Sequence, residues 1–76
     1  MRPLYQIAQE IGNDWKNVNY AAKPYLAAMR DLNHISDQYL YESAESVVLR
    51  FLCNAASWRG EKARAIKAEL KAMVTS

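Results

Sequence analysis

Glycine and proline are scarce here, two of each in 76 residues, and cysteine and histidine occur once each. Each scarcity excludes something. A lone Cys53 forms no internal disulfide and leaves no zinc-ligand spacing, and a single thiol fits a reducing cytoplasm. The two glycines build no glycine-rich phosphate loop, and no Asn-Gly or similar dipeptide marks a tight hairpin. No apolar run approaches the ~18–20 residues that span a bilayer. Polar residues interrupt the first ten positions too early for a signal sequence. A net charge of +2 is milder than that of a dedicated DNA-binding module of this size. The expectation is one cytoplasmic domain, with no membrane span, metal or cofactor.

What is abundant is helix-forming material. Half the residues are apolar, but many are alanines, which favour helix without filling a core. A chain this short retains only about 3–5 kcal/mol of net stability from one apolar core, so every helix must commit its apolar face. Leu4, Ile7, Ala8, Ile11, Trp15 and Val18 recur at steps of three and four, which predicts a first helix over residues 3–16. Pro24 belongs in the first turn of a second helix, predicted over 21–32 with a wide apolar face and a central position. Ser36 or Asp37 is placed to cap a short turn through residues 39–41.

A third helix is predicted over 42–56, its core side formed by Ala44, Val47, Val48, Phe51 and Ala55. Ser57 is the expected N-cap of the last helix, which buries Ala63, Ile66, Leu70, Met73 and Val74. Whether the third and fourth helices are separate or joined through a bend at 56–58 is left open. The predicted fold is all-α, a compact single-domain bundle of three to four helices.

Three groups of residues are candidates for function. Catalysis is not expected: no serine or cysteine lies near His34 in a recognisable catalytic arrangement, and no acidic pair has metal-ligand or glycosidase spacing. On the last helix Arg64, Lys67 and Lys71 fall within about 60° of one another, with Arg59 and Lys62 nearby. Residues 58–76 hold five basic and two acidic side chains, whereas residues 1–57 hold five and six. Such a stripe either contacts phosphates or is a solvated face. It carries no Asn, Gln or Ser to read base edges.

The third group is apolar. Tyr20, Tyr25, Tyr39 and Tyr41 gather at the connections flanking the second helix, and Leu49, Cys53 and Ala56 extend the apolar arc of the third. Tyrosines at turns can close the ends of a core or form the centre of an interface. The extra arc either packs a fourth helix or meets another chain, including a second copy.

At Asp14-Trp-Lys16, Ala22-Lys-Pro-Tyr-Leu-Ala-Ala-Met29, Ser43-Ala-Glu-Ser-Val-Val-Leu49 and Trp58-Arg-Gly-Glu-Lys-Ala-Arg-Ala-Ile-Lys67, the chain resembles small uncharacterised helical proteins. These are encoded on bacterial chromosomes, prophages and mobile elements. The Trp-Arg-Gly-Glu string is the most distinctive part. The resemblance implies a bacterial or phage setting and no activity. Trp58 itself is expected to cover the core edge as a structural corner, with Arg59 reaching a carboxylate, a carbonyl or an aromatic face. The expected function is a non-enzymatic module of phage or mobile-element accessory type that binds and modulates a protein partner. The alternative is a small nucleic-acid-binding protein that uses its last helix.

Overall fold

The computed structural model describes residues 2–75. Four helices, α1 (Leu4–Asp14), α2 (Lys23–Met29), α3 (Ala44–Cys53) and α4 (Glu61–Thr75), are joined by a two-stranded hairpin between α2 and α3. Its strands are β1 (Gln38–Tyr39) and β2 (Glu42–Ser43). The helices close a ring: α1 packs on α2, α2 on α3, α3 on α4, and α4 returns to α1. The mostly helical single-domain fold is the one the periodicity predicts, and α3 and α4 are separate.

Helix α1 follows Pro3, whose extended backbone and missing amide proton suit a helix start. No side chain caps α1. The amides of Leu4 and Tyr5 instead donate to the carbonyls of Asn33 and Leu32 at 2.8 and 2.9 Å, so the loop after α2 satisfies the orphan donors. That loop is held in turn by Asp37, whose Oδ2 accepts from the amides of Asn33 and His34 at 3.1 and 3.0 Å. These two bonds hold the Asp37 carboxyl below its usual value.

Element boundaries differ from expectation where backbone bonding changes character. Helix α2 stops at Met29 because residues 30–32 tighten: Arg30, Asp31 and Leu32 donate to carbonyls three residues back. It is the shortest of the four helices and one member of the ring, not a central rod. Asn19 explains its start. The Asn19 carbonyl takes the amide of Ala22, its side chain accepts from Ala21, and its Nδ2 donates to the Asn54 carbonyl at 3.1 Å. One residue thereby ties the α1–α2 loop to the end of α3.

The short capped turn expected through 39–41 is the loop end of a β-hairpin. Gln38 pairs with Ser43 and Tyr39 with Glu42, leaving Leu40 and Tyr41 as a two-residue loop. Leu40 has φ 57 and Tyr41 does not share the positive sign; a positive φ in a two-residue hairpin loop usually falls to glycine or asparagine. Ser43, not Glu42, opens α3: its side chain accepts from the Ser46 amide at 3.1 Å. The Ala44 amide also donates to the Asp37 carbonyl at 2.8 Å, so α3 and the hairpin share one junction.

Ser57 is not the cap of the last helix. Residues 54–60 are irregular, and α4 begins at Glu61 after Gly60, which has φ 114. A side chain at that φ would be strained, so glycine makes the turn into α4. Ala63, Ile66, Leu70 and Met73 are buried as predicted, with Val74 half-buried. Phe51, Leu4, Ile7, Ile11, Met29 and Leu70 are the largest fully enclosed side chains. No polar residue is buried among the described residues, so the interior is filled by shape and apolar area.

Candidate interaction surface

Trp58 sits outside any helix and is 2% exposed. Its ring stacks on Trp15, with centroids 5.7 Å apart and planes inclined by 10°, and both rings meet Phe51 edge-on. The indole Nε1 donates to Asp14 Oδ2 at 2.8 Å, so the one polar atom of a buried ring has a charged acceptor. The Trp-Arg-Gly-Glu string is therefore a structural corner, as expected, although Trp58 precedes the helix. Arg59 is exposed and, among the described residues, reaches no carboxylate, carbonyl or aromatic face, contrary to expectation.

The basic stripe is divided in its roles. Lys67 Nζ donates to the Trp58 carbonyl at 2.6 Å and lies 5.9 Å from the centroid of the Trp58 ring. Burial of this ammonium, with Lys71 and Arg59 adding like charge, lowers its pKa from the usual lysine value. Arg64 and Lys71 are exposed and have no carboxylate partner among the described residues. Arg59, Arg64 and Lys67 line a hollow of about 280 Å³ together with Trp58, Gly60 and Ala63.

The opposite flank of α4 is neutralised. Lys62 pairs with Glu10 at 3.2 Å, and Glu69 pairs with Arg2 at 2.7 Å. Arg2 also pairs with Glu10. The hydrogen bond from Arg2 lowers the Glu69 pKa from its usual value. One side of α4 thus pairs its charges with α1 and with Arg2 before it, while the other presents cations alone.

The tyrosines separate by burial. Tyr25 and Tyr39 are half-buried against the core and so close its ends, whereas Tyr20 and Tyr41 are 88% and 102% exposed. The arc on α3 is not consumed by α4: Leu49 is 45% exposed and Cys53 is exposed as well, while Ala56, expected on the same arc, lies exposed in the connection after α3 ends at Cys53. Arg50 pairs with Glu42 at 2.5 Å, which ties the hairpin to the turn of α3 that carries Leu49. His34 is exposed in the loop before the hairpin.

Leu40 escaped the sequence reading. It is 79% exposed beside Tyr41 at the hairpin tip, and a two-residue loop without glycine or asparagine carries no signal that would reveal it. Gly12 escaped as well, although a glycine within the periodic stretch of α1 is a visible oddity. Comparison of the chain with protein-family models, with curated proteins and with solved structures finds no match.

Proposed function

We propose that the protein is a non-enzymatic interaction module that binds an acidic protein partner through its hairpin tip. An accessory role of the phage or mobile-element kind is part of the same proposal. The observation that carries it is the tip itself: Leu40 and Tyr41 are held almost wholly in solvent, with Leu40 in a left-handed conformation. Left-handed backbone costs a leucine roughly 1–2 kcal/mol, and such strain persists only where the surroundings hold it. Here the holders are the Asp37 bonds, the Ser43 cap and the Glu42–Arg50 pair. Tip and Leu49 together would bury apolar area in a partner, each fully covered side chain contributing about 1.5–3 kcal/mol.

The cationic flank of α4 supports an acidic partner. Unpaired surface cations accelerate association with a surface of opposite sign, and salt weakens the effect. A nucleic acid is the less favoured occupant because the middle cation of the stripe, Lys67, is engaged with Trp58. The test is capture from source-cell lysate by the immobilised chain, in parallel with a Leu40→Gly/Tyr41→Ser variant. A discrete acidic protein retained by the wild type, released by salt and lost with the variant supports the proposal. Equal recovery by the variant contradicts it. Retention of nucleic acid at low salt, abolished by Arg64→Glu/Lys71→Glu, transfers the function to the last helix. Sedimentation equilibrium reads self-association through the tip.

A further inference from the structure

We propose that Arg30 and the groove between α1 and α2 form a receptor for an organic carboxylate bearing a short apolar chain. Arg30 is exposed and has no ion-pair partner among the described residues. Its side chain is the common wall of two hollows. One, of about 440 Å³, is lined by Tyr5, Gln9 and Asn13, which stand four residues apart on one face of α1. The other, of about 320 Å³, is lined by Val18, Lys23, Leu26 and Ala27. A guanidinium between a polar hollow and a more apolar one matches a ligand with a charged head and a greasy tail.

The chemistry of the walls selects the head group. A guanidinium offers planar paired donors that fit a carboxylate two-to-two. The carboxamides of Gln9 and Asn13 and the hydroxyl of Tyr5 can donate to the remaining lone pairs. Val18 and Ala27 offer apolar area to a tail, in a hollow that Lys23 also lines.

Gly12 leaves the space that the guanidinium occupies. A Cβ built there would lie 2.9 Å from Arg30 Nη2, closer than carbon and nitrogen pack. Glycine destabilises a helix relative to alanine, so α1 carries a cost that leaves room for this guanidinium. The clash falls on the far end of a flexible side chain, so Gly12→Ala should displace Arg30 without disturbing the fold. The groove is independent of the hairpin tip, and neither proposal needs the other.

The test is a titration of the whole chain followed by amide and arginine Nε resonances, with hexanoate, hexanamide and an N-acetylated dipeptide ending in a free leucine carboxylate. Saturable shifts at Arg30, Gln9 and Asn13 with hexanoate, and none with hexanamide, are expected. Gly12→Ala should keep or raise the melting temperature while weakening hexanoate at least tenfold, and Arg30→Gln should abolish the response. Binding by the dipeptide at least tenfold tighter than hexanoate assigns a chain terminus as the source; equal or weaker binding assigns a small acid. Undiminished binding by Gly12→Ala, an equal response to hexanamide, or shifts spread evenly over all surface cations overturns the proposal.

Discussion

Helix α3 is flanked by two connections, a hairpin before it and an irregular segment after it, that use their large side chains in opposite ways. The one after it, residues 54–60, turns Trp58 inward onto Trp15 and Phe51 and gives its N–H to Asp14. The one before it, residues 38–43, turns Leu40 and Tyr41 outward on a strained two-residue loop. A chain of 76 residues with so small a core has reason to bury every large apolar group. The second connection departs from that rule, and the difference separates surface kept for stability from surface left for contact.

The largest expected effect lies at the inward connection. Trp58→Ala should cost about 3–5 kcal/mol, the range for truncating a buried aromatic, and on a domain this small that removes most of the folded population near room temperature. Denaturant unfolding followed by far-UV circular dichroism checks it. A loss under about 1 kcal/mol would place the ring outside the core. Next in size is Asp14→Ala, which strands a buried indole N–H and should cost about 1–3 kcal/mol, with Trp58→Phe/Asp14→Ala recovering part of the loss in a double-mutant cycle.

The outward connection should behave in the reverse manner. Leu40→Gly relieves a left-handed leucine and should leave stability unchanged or raise it by up to about 1 kcal/mol, since greater freedom of the unfolded chain offsets part of the relief. Tyr41→Ser should shift stability by no more than about 0.5 kcal/mol. A large loss from either would mean that the tip supports the fold, and the contrast would fail.

These two sites also show how much was legible beforehand. The apolar stripes of the helices were readable because repeats of three and four residues fix which side chains share a face, and Val47, Val48, Phe51, Ile66 and Leu70 are buried accordingly. The Trp-Arg-Gly-Glu string points to a structural corner, and Trp58 lies buried in one against Trp15 and Phe51. The helix ends were not, because they depend on distant partners: the carbonyls of Leu32 and Asn33 start α1, and Asn54 anchors Asn19. The hairpin was invisible for a different reason. Tyr-Leu-Tyr-Glu has no residue that favours positive φ, and only its anchoring by Asp37, Ser43 and Arg50 imposes the turn. The stripe of Arg64, Lys67 and Lys71 was legible as geometry, but the bond from Lys67 to the Trp58 carbonyl was not.

Acid should act on both sides of α3 through carboxylates, with the smallest effect per group. Asp37 and Glu69 have lowered pKa values in the folded chain. Their contribution is therefore present above the usual carboxylate range and is lost as pH falls below that range through their lowered folded values. The melting temperature should fall over that window, and Asp37→Asn should flatten part of the slope. A melting temperature that rises on acidification would reverse the sign and contradict these assignments.

Photo-crosslinking from position 41 in living source cells tests the central claim most directly, with a probe at the exposed Gln6 on α1 as the control. A single discrete adduct from position 41, absent from position 6 and diminished by Leu40→Gly, is the predicted result. Adducts of the same pattern and yield from both positions would show that the hairpin tip is ordinary surface.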